Sequence, residues 1–349
     1  MKLSGLFGKT DLSEFKSQIR TLLAELATAD FPNGIFGQVA IEQVGKGLNI
    51  ELPFEPESVA TDLETRIRQA TGLNAPLSFS YTPTRAMRSK VDRVKLIVAV
   101  ASGKGGVGKS TVTANLAISL AKLGHRVGVL DADIYGPSMP IMFGLQGEAI
   151  GSQDQKTMEP MFQHGVYLNS IGFLLSPDNA AIWRGPMASR ALTQIVNETN
   201  WPELDVLLVD MPPGTGDIQL TMSETIKCDG ALIVTTPQNV ALADAEKGID
   251  MFNKVNTPIL GVVENMSQFV CDQCGTAHSL FGTGGGQSVA EAKSVPLLAQ
   301  LALQKQVREA ADAGVPAALN ESLNQEYRQL AFSLMMRVSK QTEHVIALA

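Results

Sequence analysis

The sequence predicts an α/β protein: a doubly wound, mostly parallel sheet preceded by a small N-terminal α+β domain. Three observations carry this. Beyond Leu96, short apolar runs alternate with stretches of helical periodicity, the pattern of parallel strands covered on both faces. One junction between such a run and a helix, ASGKGGVGKST at Ala101–Thr111, fits the phosphate-loop pattern G-x-x-x-x-G-K-[ST] in its strand–loop–helix context. Two later runs end in carboxylates, at Asp131 and Asp210, where open sheets of this kind bind their ligands.

Taken in order, residues 11–28 carry a helical stripe of Leu12, Phe15, Ile19, Leu22, Leu23 and Leu26, with Asp11 or Ser13 as cap. Pro32-Asn33-Gly34 breaks the chain. Leu48, Ile50 and Leu52 alternate with polar residues as a half-buried strand does, and Gly45-Lys46-Gly47 turns it back on 38–44. A second helix fits 57–70, and Leu77, Phe79 and Tyr81 alternate again. Residues 1–82 therefore read as a separate domain with neither cysteine nor histidine, a packing or interaction module. Residues 83–95, with Arg85, Arg88, Lys90, Arg93 and Lys95 against Asp92 alone, read as a basic, solvated linker.

The remaining domain, 96–349, holds predicted strands at 96–101, 127–130, 167–173, 206–209, 231–235 and 259–263. Predicted helices fill 109–123, 187–197, 219–226, 241–254, 287–292, 304–312 and 321–340. The last carries Leu323, Tyr327, Leu330, Leu334, Met335 and Val338 at helical spacing; its basic residues are too sparse for a membrane anchor, so core packing accounts for them.

Composition narrows the function. A chain of 349 residues with 44% hydrophobic content can bury a sizeable core. A formal charge of −7 invites neither nucleic acid nor anionic lipid. The opening MKLSGLFGKTDLSEF lacks a secretory apolar core, and no apolar run approaches the ~18 residues of a membrane span. Three cysteines are too few for a disulfide framework, and the expected location is cytoplasmic.

In the phosphate loop, Gly103, Gly105, Gly106, Val107 and Gly108 let backbone N–H groups converge on a phosphate at a helix N-terminus, with Thr111 completing the nucleotide-binding set. Lys109 would reach the β- and γ-phosphates and the Ser110 hydroxyl would ligate Mg²⁺. Lys104 is a second cation, redundant within one chain but useful if it reaches a nucleotide held by a partner chain. Asp131 and Asp133, alternate positions beyond a strand, suit the Mg²⁺ shell and the attacking water. Asp210 closes an apolar strand in the Walker B manner and runs into Met211-Pro212-Pro213-Gly214-Thr215-Gly216-Asp217, stiff at its prolines and pivoting at its glycines. Asn265, after another strand, has an amide that suits a base edge.

Cys271-Asp272-Gln273-Cys274 supplies two thiolates, half of a four-ligand soft-metal set. Cys228, beside Asp229 at a helix end, reads as structural, and His278 as a third ligand only in principle. Two copies of the chain would complete four thiolates, suited to an iron–sulfur cluster or to zinc; a redox pair is a third option.

The G-K-G-G-x-G-K-S loop with its two lysines resembles the deviant Walker A ATPases, and D-M-P-P-G-T-G-D, G-V-V-E-N-M-S, C-D-Q-C-G and F-G-T-G-G-G are similar, in order and spacing, to segments of the Mrp/ApbC iron–sulfur carriers. The likeness covers roughly 94–316, and the order of 1–82 is similar to the small domain at the front of many such carriers. Trp183-Arg184-Gly185-Pro186-Met187 also looks like the family and has no physical role assigned. The resemblance implies a P-loop NTPase fold, ATP rather than GTP, and a homodimer in which Lys104 crosses the interface. It further implies Asp133 as the hydrolytic carboxylate, Asp131 near the metal, Asn265 at the base, and a [4Fe–4S] cluster bridged by Cys271 and Cys274 of both copies. Expected partners are cluster scaffold proteins and apo iron–sulfur proteins. The rival reading is a positioning switch like the partition and division ATPases, against which the acidic charge and the C-x-x-C weigh. An electron donor like the nitrogenase iron protein is a further relative, but its ligand cysteines lie well apart in sequence.

Overall fold

The computed structural model describes residues 12–25, 39–52, 60–81 and 91–347, apart from 92, 135, 153, 155, 175–184 and 272. Asp11, the Pro32-Asn33-Gly34 break, most of the basic linker and Trp183-Arg184 lie outside the described residues. The chain divides into two units, Met1–Pro83 with Met335–Ala349, and Thr84–Leu334.

In the first unit, α1 (Ser13–Glu25) buries Ile19 and Leu23, and Leu12 just before it, on the stripe the periodicity predicts. Strands β1 (Ala40–Val44) and β2 (Gly47–Leu52) form an antiparallel hairpin turned at Gly45-Lys46, where Gly45 takes φ 61°. After α2 (Ala60–Thr71), which buries Leu63 and Ile67, β3 (Leu77–Tyr81) pairs parallel with β2.

The second unit opens with β4 (Ile97–Ala101), α3 (Lys109–Lys122), β5 (Val127–Asp131) and the short α4 (Met139–Met142). Strands β6 (Met161–Gln163) and β7 (Val166–Ser170) follow, then α5 (Gly185–Glu198), β8 (Val206–Asp210), α6 (Asp217–Ile226), β9 (Gly230–Thr235) and α7 (Asn239–Lys254). Last come β10 (Ile259–Val270), β11 (Ala277–His278), α8 (Gly285–Ala292), β12 (Leu297–Leu303), α9 (Lys305–Asp312) and α10 (Glu321–Ala347), which begins in this unit. The sheet runs β11-β10-β9-β4-β8-β5-β7-β6, with β12 also on β10; among these pairings only β10–β11 and β6–β7 are antiparallel. Every residue of β4, β5, β8 and β9 is buried, as a sheet covered on both faces requires.

Several predicted bounds are corrected. The strand expected at 167–173 ends at Ser170, because its hydroxyl accepts from Gly172 N at 3.0 Å and caps a 3-10 turn over Ile171–Phe173. The strand expected at 259–263 continues to Val270, and β6, β11 and β12 had no predicted counterpart. Lys95, counted with the linker, is fixed on Asp205 by a 2.7 Å ion pair. Leu330 and Leu334 of α10 are buried, as core packing predicts.

Candidate functional site

Strand β4 lies between β8 and β9, and β8 between β4 and β5, so the carboxyl ends of three strands converge. Val100 pairs with Asp210, and Asp131 is itself the register partner of Asp210. The phosphate loop leaves β4 at Ala101 and enters α3 at Lys109. Gly108 takes φ 81°, left-handed backbone that favours glycine, and a Cβ there would lie 2.2 Å from the Asn265 amide nitrogen. Gly103 passes equally close to the backbone of Asp244 on α7. Of the rest of the loop, Gly105 and Gly106 are exposed, Val107 is buried, and Thr111 receives the Asn115 amide on its carbonyl at 2.8 Å.

The buried Lys109 ammonium sits 2.7 Å from Asp210 Oδ1 and 3.9 Å from Asp133 Oδ2. Ser110 Oγ donates to Asp210 Oδ2 at 2.6 Å, and Thr113 Oγ1 to Asp210 Oδ1 at 2.9 Å. A hydroxyl and a carboxylate in contact beside a lysine form a hard-oxygen donor set that fits Mg²⁺ and a polyphosphate. Asp131 faces backbone and hydroxyl donors. Its carboxylate accepts from Met139 N at 3.0 Å, Ser170 Oγ at 2.9 Å and Asp133 N at 3.2 Å, tying β5 to β7 and to the segment leading into α4. Burial, and then the neighbouring Asp210 charge, push the Asp131 carboxyl up to about 7.

Lys104 is half-buried, and its Nζ lies 3.3 Å from Gln238 Oε1 of the same chain. Asn265, buried on β10, donates its amide to the Val107 carbonyl at 2.8 Å, a link to the loop backbone that the sequence did not reveal. No sequence pattern marks Gln238, whereas Glu264 stands out as the lone acid in the apolar run of β10.

Five residues beyond Asn265, β10 ends and the cysteine turn begins. Cys271 N donates to Thr276 O at 3.0 Å and Gly275 N to Cys271 O at 2.8 Å, closing a tight knuckle between β10 and β11. Cys274 is exposed and Cys271 half-buried. Hydrogen bonding with the hydroxyl and then the backbone of Thr276, and further with Cys271, holds the Cys274 thiol below its ordinary range. His278 stacks on Phe269 at 6.5 Å. Among the described residues no cluster of three or more His, Cys, Asp or Glu is placed to hold a metal ion. Cys228 is buried, and burial followed by the Asp229 charge pushes its thiol up to about 12.

The phosphate loop, with its serine and lysine gathered on the Asp210 carboxylate, defines a P-loop NTPase. A family model described as "ParA: NUBPL iron-transfer P-loop NTPase" matches residues 93–338. Iron–sulfur cluster carrier proteins of Salmonella typhimurium and Escherichia coli are each 49% identical, over 79% and 81% of this chain and 76% and 81% of their own. A solved nucleotide-binding protein from Archaeoglobus fulgidus, in complex with ADP, superposes with a TM-score of 0.58 at 39% identity, covering 64% of this chain and 88% of that one. The cell division ATPase MinD of Pyrococcus furiosus (TM-score 0.53, 22% identity, 73% of this chain and 99% of that one) shares the fold. The chain belongs to the iron-transfer P-loop NTPase family, with iron–sulfur cluster carriers among its relatives, and it is an ATPase of that family. No helix among the described residues is long and apolar enough to cross a membrane.

Proposed function

We propose that this protein is a homodimeric, ATP-dependent carrier that holds a [4Fe–4S] cluster between Cys271 and Cys274 of two copies and passes it to apoproteins, working with cluster scaffold proteins in the cytoplasm. The observation that carries the reading is continuity: the strand whose Asn265 grips the phosphate loop is the strand that delivers Cys271. The C-x-x-C knuckle offers two thiolates at an exposed turn, and the described residues near it add no third ligand. A second copy related by a two-fold axis supplies the missing pair. The iron–sulfur cluster is cargo, and four soft thiolates are a suitable seat for it.

At the nucleotide, Lys109 would reach the β- and γ-phosphates, while Ser110 and Asp210 would hold Mg²⁺. Bound Mg²⁺ neutralises phosphate charge. Gly103, Gly105, Gly106, Val107, Gly108 and Thr111 cradle the phosphates through their backbone. Asp133 orients the attacking water, Asp131 fixes the backbone that carries Asp133, and Lys104 reaches the nucleotide of the other copy. Asn265 stations the β10 end beside the loop and the base. Product release frees Met211–Asp217 to move.

The test is replacement of Cys271 and Cys274 together by serine. Cluster uptake under anaerobic reconstitution is expected to vanish with nucleotide binding retained. Normal uptake of iron and sulfide by the double variant would refute the assigned seat.

A further inference from the structure

Two consecutive residues of β10 face opposite ways, as strand geometry dictates. Asn265 holds the phosphate loop through Val107. Glu264, buried beside it, holds the segment that returns from the cysteine turn: its Oε2 accepts from Gly286 N at 2.5 Å, in the first turn of α8. Its Oε1 accepts from Gln300 Nε2 at 2.8 Å, on the neighbouring β12, where Gln300 is its register partner. The approach is close, since a Cβ on Gly286 would stand 2.7 Å from Glu264 Cβ. The stretch 266–285, which holds the end of β10, β11 and both C-x-x-C cysteines, therefore begins and ends against adjacent residues of β10. One of those residues is the one that touches the nucleotide loop. Met266, at φ 56°, and the register shift between Asn265 and Phe269 mark the point where the strand bends away from that anchor.

The structure assigns Glu264 as the positioning residue that transmits the state of the phosphate loop to the cysteine turn. It does so by closing the base of the 266–285 stretch onto Gly286. This rests on the carrier reading for its consequence, but its structural content does not need the cluster. A shift of β10 at Asn265 moves Glu264 with it, and Glu264 drags the α8 N-terminus, so the turn is displaced from both ends at once. Without the carboxylate, only the β10 end follows the nucleotide.

The experiment is hydrogen–deuterium exchange on the full-length protein with and without ATP·Mg²⁺, for wild type, Glu264→Ala and Glu264→Gln. Wild type is expected to change protection at both 103–111 and 269–286 on adding nucleotide. Glu264→Ala is expected to keep the change at 103–111 and lose it at 277–286, with the Gly286 amide exchanging about tenfold faster, as loss of a charge-assisted hydrogen bond implies. Glu264→Gln is expected to restore the response, because the Gln300 amide can turn over and accept from the new NH₂ while the glutamine oxygen keeps Gly286. A wild-type response at both ends that survives unchanged in Glu264→Ala overturns the assignment, as does a Glu264→Gln variant no better than Glu264→Ala. If Glu264→Ala does not fold, Gly286→Ala, which forces the same contact apart, must lose the 277–286 response for the assignment to stand. Cluster transfer measured in parallel separates the two readings: a nucleotide response in the turn without any effect of ATP on transfer refutes the carrier coupling and leaves Glu264 in place.

Discussion

Lys109 Nζ lies 2.7 Å from Asp210 Oδ1 and both side chains are buried, so each charge compensates the other away from water. Truncating one partner strands the other. Lys109→Ala is expected to abolish ATP binding and to cost about 3 kcal/mol of stability, the usual penalty for an uncompensated buried charge. Adding Asp210→Asn is expected to return much of the stability but none of the binding. Denaturant melts and equilibrium titration of the two variants check both halves.

The Lys104 ammonium meets the neutral Gln238 amide oxygen at 3.3 Å. Lys104→Ala is expected to bind ATP within a few-fold of wild type while kcat falls about 10³-fold, the scale of a cation supplied in trans. Equal losses in binding and kcat would place Lys104 in its own nucleotide site instead.

Asp131 gives the nucleotide-free protein a pH signature. Its folded pKa, about 7, is raised above the ordinary value, so the folded state holds a proton that the unfolded state releases. The associated stability is full below about pH 4 and is lost as pH rises toward 7. Asp131→Asn removes the titration. The Tm of wild type minus that of Asp131→Asn is therefore expected to fall between pH 4.5 and 7, measured without nucleotide. A difference that stays flat contradicts the buried proton.

The three cysteines separate by environment. Cys274 is exposed with a lowered pKa, whereas Cys228 is buried with its thiol near 12. Alkylation of the metal-free protein at pH 7 is expected to modify Cys274 quickly and Cys228 only on unfolding, since thiolate is the reactive form. Cys228→Ser is expected to load cluster like wild type.

Most of the sheet and both motifs were legible because each rests on local pattern: short apolar runs for β4, β8 and β9, and glycine spacing for the loop. What escaped depended on partners distant in sequence. Strand β12, Leu297–Leu303, is apolar but for Gln300, a short run that periodicity alone does not assign to strand or helix, and it is fixed by pairing with β10. The 3-10 turn after Ser170 depends on a serine that is also bonded to Asp131. Asn265 suited a base edge in isolation, and only folding brings Val107 within reach of its amide, 158 positions away.

The most direct measurement is native mass spectrometry after anaerobic reconstitution with iron and sulfide. The expected species is a dimer carrying one [4Fe–4S] cluster, absent from the Cys271→Ser/Cys274→Ser variant. A monomer that retains a full cluster, or a dimer that takes up only zinc, would contradict a cargo seat shared between two copies.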